Sequence, residues 1–160
     1  VSKTTRPMLV VKQAPHERYE TVLVPVDLSA HSLRSIRIAQ AVAPGASLAL
    51  LHAYDVPYEG MMEYAGVQAD QIQHYRSKAR QEALESMQAL CEVAGLDPVF
   101  TPTVVMHGDP SLLLVQQEQE LDCDLIVMGK QGDNTLEDVL LGSVTRYALA
   151  QSQCDVLVSV

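Results

Sequence analysis

The stretch TVLVPVDLS, Thr21 to Ser29, decides the fold. Its first six residues are apolar or β-branched almost without a break, which is typical of a parallel strand buried on both faces of a sheet. Pro25 lies near the end of this run, where a strand leaves the sheet and needs no further ladder hydrogen bond. Ser29 follows as a predicted N-cap, so a strand and a helix are joined by a short loop.

The same strand-and-helix unit recurs along the chain. Strands are predicted over 21–26, 47–55, 99–108, 123–129 and 154–160, and helices over 29–43, 68–94, 110–120 and 144–150. Pro102 indicates an edge position or a bulge for the third strand. The Met61-Met62 pair lies in a loop before the longest helix. This loop could cover the pocket or a partner surface, but we favour a disordered linker. Right-handed crossovers between these strands predict an α/β, Rossmann-like fold: an open, doubly wound five-stranded parallel sheet with helices on both faces.

Residues 1–18 do not fit this alternation. The segment RPMLVV near the start resembles CDVLVS near the end and places Leu9 on Leu157. We interpret residues 1–18 as an extra strand and a linker, the remnant of a preceding copy of the domain, and residues 19–160 as the main domain. Chance similarity between two short apolar strands is the alternative.

Charge and hydropathy restrict the partners. The chain has 11 Lys+Arg and 20 Asp+Glu, and its formal charge of −9 repels nucleic acid and anionic membranes at long range. No apolar stretch approaches the roughly 20 residues that span a bilayer. The first residues also lack the apolar core of a secretory signal. We therefore predict a cytoplasmic protein with no nucleic-acid and no membrane partner.

Metal and thiol chemistry are not indicated by the sequence. Cys91, Cys123 and Cys154 are far apart and form no CxxC pair, which favours buried thiols in a reducing compartment. The five histidines form no HxxxH or HExxH pair, so no metal site is predicted. No serine lies in a GxSxG elbow, and no catalytic residue is predicted.

A ligand-binding site is predicted at the carboxyl ends of the first and fourth strands. In an open parallel sheet, ligands bind beyond these ends, where the strand order reverses. Gly129 and Gly132 follow the fourth strand and allow close approach of the backbone. Gly142-Ser143 then begins a helix whose unpaired N–H groups suit an anion. Asp27, after the first strand, could accept hydrogen bonds from a sugar hydroxyl.

The same residues also have a plain structural explanation. The glycines could only turn the chain, and Ser143 and Asp27 could only cap their helices. Neither GxGxxG nor GxxxxGK[ST] occurs in the sequence. Spacing alone therefore leaves phosphate binding and a simple turn equally open.

Over essentially all of residues 19–160, the chain resembles the universal stress protein family. The resemblance is carried by VLVPVDLS in the first strand, LLHAYD in the second, HGDP before the third helix and DLIVMG in the fourth strand. In the family, the motif G-x2-G-x9-G-[S/T] marks the branch that binds ATP. The residues that match this motif are Gly129, Gly132, Gly142 and Ser143.

The resemblance implies a complete site for adenine nucleotide. Pro25, Val26 and Asp27 would line the adenosine pocket. Ala53 would lie beside the adenine, and Met128 would help to wall the pocket. The residues that would hold the ribose and phosphates are Gly129, Gly132, Gly142, Ser143 and Val144. The implied strand order, numbered along the five predicted strands, is 3-2-1-4-5.

Two features of the glycine loop depart from the family pattern. Lys130 stands where relatives often have a small or polar residue, and it could reach a phosphate or be an ordinary solvated lysine. Asp133, Glu137 and Asp138 could hold Mg²⁺ against a triphosphate. A solvated acidic face is the alternative for these three carboxylates, and it is the one we favour.

The implied function is that of a cytoplasmic stress-response protein which binds ATP as a sensor or switch. Hydrolysis would be slow at most, since we identify no general base and no arginine finger. Family members form a homodimer by antiparallel pairing of the last strand, here Val156 to Val160, and Met8 to Val11 could compete for that edge or extend it. The alternative is a nucleotide-free dimerising regulatory module of the same family. An adenylyl-transferring enzyme would require an HxGH-like or SGGxDS-like signature, which the sequence lacks.

Overall fold

The computed structural model describes residues 6–14, 18–130 and 141–160. Within these ranges the chain forms six strands: β1 (Met8–Val10), β2 (Thr21–Pro25), β3 (Ser47–Tyr54), β4 (Thr103–His107), β5 (Leu125–Gly129) and β6 (Asp155–Ser159). It also forms five helices: α1 (Ala30–Val42), α2 (Glu59–Tyr64), α3 (Ala69–Ala94), α4 (Pro110–Glu120) and α5 (Ser143–Gln151).

The strands form one sheet in the order β1-β6-β5-β2-β3-β4. Strands β2 to β6 are parallel to one another, whereas β1 is antiparallel to β6, with Leu9 opposite Leu157. Numbered from β2, the parallel part has the predicted order 3-2-1-4-5, and the order reverses between β2 and β5. The predicted five-stranded parallel sheet is corrected to a six-stranded mixed sheet, because β1 adds to its edge.

Helices cover both faces of the sheet. Val22 of β2 packs in one core cluster with Met87 of α3, whereas Leu23, the next residue, packs on the opposite face with Leu114 of α4. Consecutive strand residues point to opposite faces, so a strand buried on both sides needs an unbroken apolar run. This requirement explains the sequence of β2, and the doubly wound prediction is confirmed.

The helix ends follow local sequence signals, among them the predicted Ser29 cap. Ser29 caps the N-terminus of α1 with a side-chain hydrogen bond, and Asp109 caps that of α4 with two such bonds. Gly95 follows α3 in the left-handed conformation, at φ 67°. These local signals determine the residues at which the helices begin and end.

The structure corrects two predictions, one about the segment before the longest helix and one about the position of the last strand. The segment expected to be a disordered linker contains α2, which contacts α3 through hydrogen bonds from Arg76 to Glu59. The C-terminal strand β6, expected at the edge of the sheet, lies one strand inside it, because β1 extends that edge, which is one of the two possibilities stated for Met8 to Val11.

Polar contacts fix β1 beside β6. The buried Asp155 carboxylate accepts a hydrogen bond from the Lys12 N–H at 2.8 Å and from the Tyr19 hydroxyl at 2.7 Å. Burial, together with this bond to Asp155, raises the pKa of Tyr19 to about 12. The Lys12 ammonium donates to the Ser152 carbonyl oxygen at 2.8 Å, at the C-terminal end of α5, where the helix dipole favours a cation.

The cysteines are buried free thiols, as expected from their spacing. Burial raises the pKa of Cys123 to about 12, with a further contribution from nearby carboxylates. This thiol is therefore protonated at neutral pH and is a poor nucleophile. Across the described part of the chain, no helix combines the length and the apolar character needed to cross a bilayer.

Candidate functional site

The turn between β2 and α1 presents an ordered carboxylate. Leu28 adopts a left-handed φ of 64°. Asp27 Oδ1 accepts hydrogen bonds from the Ser29 N–H at 3.0 Å, the Ser29 hydroxyl at 2.6 Å and the Ser32 hydroxyl at 2.9 Å. Partial burial on its own would raise the pKa of Asp27, but these donors outweigh it and hold the pKa below its ordinary value. Asp27 is therefore ionised at neutral pH, and the residue is exposed.

His52 of β3 orders the residue before this carboxylate. Its Nδ1 lies 2.8 Å from the Val26 carbonyl oxygen, and the Val26 N–H donates to the Leu51 carbonyl at 2.8 Å. A carbonyl oxygen can only accept, so the bond requires the proton on His52 Nδ1. In the neutral ring, Nε2 is then an acceptor. Residues of β3 therefore bind both the N–H and the carbonyl group of Val26.

The end of β5 is tied to the start of α5. The Gly142 N–H donates to the Lys130 carbonyl at 3.0 Å, and the Lys130 N–H donates to the Ser159 carbonyl of β6 at 2.8 Å. The buried Thr145 hydroxyl donates to the Gly129 carbonyl at 2.9 Å. These bonds bring the two ends of the glycine loop together at the carboxyl edge of the sheet.

The N-terminus of α5 differs from those of α1 and α4. Its N-cap is Gly142, which has no side chain and makes no side-chain capping hydrogen bond. Ser143, the first helical residue, is exposed. The first N–H groups of a helix have no partner within the helix, so at α5 they can bind a ligand oxygen.

Residues from two adjacent strands meet at this edge. Pro25 ends β2 and is followed by Val26 and Asp27, and Gly129 ends β5 and is followed by Lys130. Because β2 and β5 are hydrogen-bonded neighbours, both predicted loops leave the sheet at the point where the strand order reverses.

The remaining predicted residues that the structure describes belong to β3, β5 and the first turn of α5. Met128 is buried in the core cluster on the α4 and α5 face, and Ala53 and Val144 pack against the same cluster while remaining half-buried. Gly142 and Ser143 begin α5. The predicted residues that lie outside the described ranges are Gly132, Asp133, Glu137 and Asp138.

Sequence reasoning missed a second polar group at the same edge. Asp55 follows β3, Glu59 begins α2, and His107 ends β4, with ligand-type atoms of all three within 4.8 Å of one another. His107 lies 48 positions after Glu59, and Glu59 falls in the segment expected to be a linker. No short motif joins these residues, so the only signal was the adjacency of the second and third strands in the predicted order.

Known proteins share this architecture. A universal stress protein of Methanocaldococcus jannaschii, MJ0531, is 31% identical over 143 residues, which cover 88% of this chain and 81% of that protein. Among solved structures, the universal stress protein UspA from Lactobacillus plantarum aligns with a TM-score of 0.70 at 24% identity, over 91% of this chain and all of that one.

A universal stress protein solved in complex with cAMP also aligns, with a TM-score of 0.56 at 28% identity, over 90% of this chain and 98% of that one. The model of the universal stress protein family matches residues 18–159. This match spans the whole α/β sheet from β2 to β6 and includes both loops of the candidate site. The chain therefore belongs to the universal stress protein family.

Proposed function

We propose that this chain binds an adenine nucleotide, ATP in the first place, at the carboxyl edge between β2 and β5. The observation that carries the proposal is the start of α5, where Gly142 leaves the first N–H groups without a side-chain cap. Such groups, with the positive end of the helix dipole, stabilise a phosphate. The related structure in complex with cAMP supports an adenine nucleotide as the class of ligand.

Asp27 would bind the ribose. Its Oδ1 is engaged by Ser29 and Ser32, so Oδ2 is the oxygen that a ribose hydroxyl would reach. An ionised carboxylate is a strong acceptor, and the low pKa keeps Asp27 ionised. Because the two serines already fix the side chain, little conformational entropy is lost when the ligand binds.

The other predicted residues would contact the adenine at one end of the nucleotide and the ribose and phosphates at the other. Apolar walls for the adenine would come from Pro25, Val26, Ala53 and Met128. The ribose and phosphates would be held by Gly129, Lys130, Gly132, Gly142, Ser143 and Val144, with Lys130 adding positive charge. Mg²⁺ would accompany ATP as the counterion of its phosphates.

A sensor or switch suits this site better than an enzyme. A general base works best with a pKa near the operating pH, whereas the pKa of Asp27 is held low, which makes its carboxylate a weak base. We assign no other general base among the described residues around the crevice. We therefore propose a cytoplasmic stress-response protein whose nucleotide state is read by a partner, with slow hydrolysis at most.

The alternative function is that of a nucleotide-free dimerising regulatory module. Either function would involve a homodimer through β6, and the position of β1 affects whether that dimer can form. In this structure β1 occupies the outer edge of β6 that a second copy would need. We propose that a homodimer forms by antiparallel pairing of two β6 strands once β1 is displaced. The variant Leu9→Pro, Val10→Pro tests this. Of two successive strand residues, one directs its N–H group at β6, and proline has no N–H group, so the variant weakens the pairing of β1 with β6.

Light scattering should show a larger dimer fraction for this proline variant than for the parent chain. The control Leu9→Thr, Val10→Thr keeps the strand and should match the parent. Monomeric behaviour of the proline variant at every concentration would contradict pairing through β6.

Calorimetric titration with ATP, ADP, AMP and cAMP tests the nucleotide proposal. Gly142 has φ −58° and ψ 155°, a conformation that valine also adopts, so Gly142→Val with Ser143→Val should fold but crowd the phosphates. We expect affinity to fall on the order of tenfold or more, about 1.4 kcal/mol. The control Ala150→Val adds bulk at the opposite end of α5 and should bind as the parent does. Absence of binding by the parent chain would refute the proposal.

A further inference from the structure

A second cluster of side chains converges at the carboxyl ends of β3 and β4. His107 Nε2 lies 2.9 Å from Glu59 Oε2 and 3.6 Å from Asp55 Oδ1. Each residue comes from a different element: the end of β3, the start of α2 and the end of β4. We name these three residues the edge triad.

The edge triad has the spacing of a metal site. Zinc bound at about 2.0–2.2 Å by nitrogen and carboxylate ligands in a tetrahedron separates those ligand atoms by roughly 3.3–3.6 Å. The His107–Glu59 separation of 2.9 Å is shorter than this range, and the His107–Asp55 separation of 3.6 Å lies at its upper end. All three ligand-type atoms lie within 4.8 Å of one another, so rotation of the exposed Asp55 side chain and small shifts of Glu59 and His107 would bring them into coordination.

Neighbouring groups orient the ligand atoms. Arg76 donates from Nε to Glu59 Oε1 at 2.6 Å and also contacts that oxygen through Nη2, so the other oxygen, Oε2, faces His107. The Glu59 side chain is only 10% exposed. The Tyr54 ring packs against the His107 ring with centroids 5.5 Å apart. Outer groups of this kind hold metal ligands in place in known sites.

The charges and exposure also suit a cation. Arg76 balances one of the two carboxylates, so the edge triad with Arg76 has a net charge of −1 when His107 is neutral. The Asp55 side chain is 82% exposed, which gives an ion a path from solvent and leaves room for water as a further ligand. Within the described residues, the edge triad is the group of His, Cys, Asp and Glu side chains that meets a metal-ligand spacing.

We propose that Asp55, Glu59 and His107 bind a divalent transition cation of the zinc type through Oδ1, Oε2 and Nε2. A mixed set of one imidazole and two carboxylates suits such ions better than calcium or magnesium, which prefer oxygen ligands alone. Metal binding requires His107 Nε2 to be free of its proton. The cation thus takes the place of the proton that Nε2 shares with Glu59, and the site is independent of the proposed nucleotide site.

Titration of the nucleotide-free full chain with Zn²⁺, followed by calorimetry, tests this proposal. We expect saturable binding that weakens on the order of tenfold or more in His107→Gln and in Glu59→Gln. Two matched controls should bind as the parent chain does. His74→Gln removes an exposed histidine of α3, and Glu63→Gln removes a carboxylate that approaches Arg76 at 3.8 Å but lies outside the edge triad.

Cobalt gives a second readout that adventitious binding would not reproduce. Co²⁺ in the edge triad should show visible absorption that disappears in His107→Gln and persists in His74→Gln. The exposed Asp55→Asn variant should fold normally and bind Zn²⁺ more weakly, so the proposal stays testable if Glu59→Gln fails to fold. Absence of saturable Zn²⁺ binding, or equal affinity in the parent, His107→Gln and Asp55→Asn, would show that the cluster is only an ion-pair network.

Discussion

The carboxyl edge of the sheet has two polar regions that are built in opposite ways. Between β2 and β5, the region consists of glycines, backbone N–H groups without side-chain caps and one carboxylate ordered by serines. At the ends of β3 and β4, long charged side chains contact one another, with Arg76, Glu59 and His107 in a chain of hydrogen bonds. The first region leaves backbone donors available for a large anion, whereas the second concentrates acceptors around a small space.

This difference shows why the two regions suit different ligands. Backbone N–H groups have fixed directions and can surround a phosphate without any net positive charge on the protein. Carboxylates and imidazole provide the lone pairs that a cation needs, but they must be held by neighbours to avoid mutual repulsion. A chain with formal charge −9 is therefore compatible with both the anion proposed for one region and the cation proposed for the other.

The larger expected effect comes from Asp27→Ala, which removes the ordered carboxylate of the first region. Three hydrogen bonds from Ser29 and Ser32 lose their acceptor, and we expect a loss of about 1–2 kcal/mol in the free energy of unfolding. We also expect ATP affinity to fall on the order of tenfold, because the ribose loses its acceptor. Urea unfolding and calorimetry measure the two effects.

Asp27→Asn is the matched control for this change, since it keeps the size and one acceptor oxygen. It should lose less stability than Asp27→Ala. Unchanged ATP affinity in Asp27→Ala would show that Asp27 does not belong to the nucleotide site. Its role in the turn is tested separately, by whether Asp27→Ala lowers the free energy of unfolding.

The smaller expected effect is the pH dependence conferred by Glu59 in the second region. The hydrogen bond from Arg76, followed by that from His107, lowers the pKa of Glu59. A carboxyl group with a lowered folded-state pKa stabilises the fold above its ordinary pKa, and this contribution is lost as pH falls through the lowered value. The parent chain should therefore have a higher Tm than Glu59→Gln at neutral pH, and the difference should vanish in acid.

Thermal unfolding across the acid range, with Glu63→Gln as the control, measures this effect. Glu63 is more exposed and farther from Arg76, so its substitution should change the pH profile little. A constant difference between the parent and Glu59→Gln at every pH would mean that Glu59 acts by packing and not by its charge.

Much of the first region could be predicted because its signals are contiguous in sequence. The apolar run of β2 and the Ser29 cap each act over a few residues, and the order of parallel strands then places the loops after β2 and β5 next to each other. The edge triad could not be predicted in this way. Its three ligand atoms come from separate elements, and α2, which carries Glu59, is a six-residue helix within a segment that the sequence indicated as a linker.

By itself, the sequence determined the alternation of strands and helices, the doubly buried sheet and the family, because these depend on local periodicity and on short motifs. The tertiary structure decided between the two possibilities for Met8 to Val11, because β1 covers β6 and is held there by the buried Asp155 and the Lys12 ammonium at the end of α5. It also decided that Asp55, Glu59 and His107 meet. Contacts between residues far apart along the chain depend on how the elements pack against one another, and the local sequence of one element does not specify that packing.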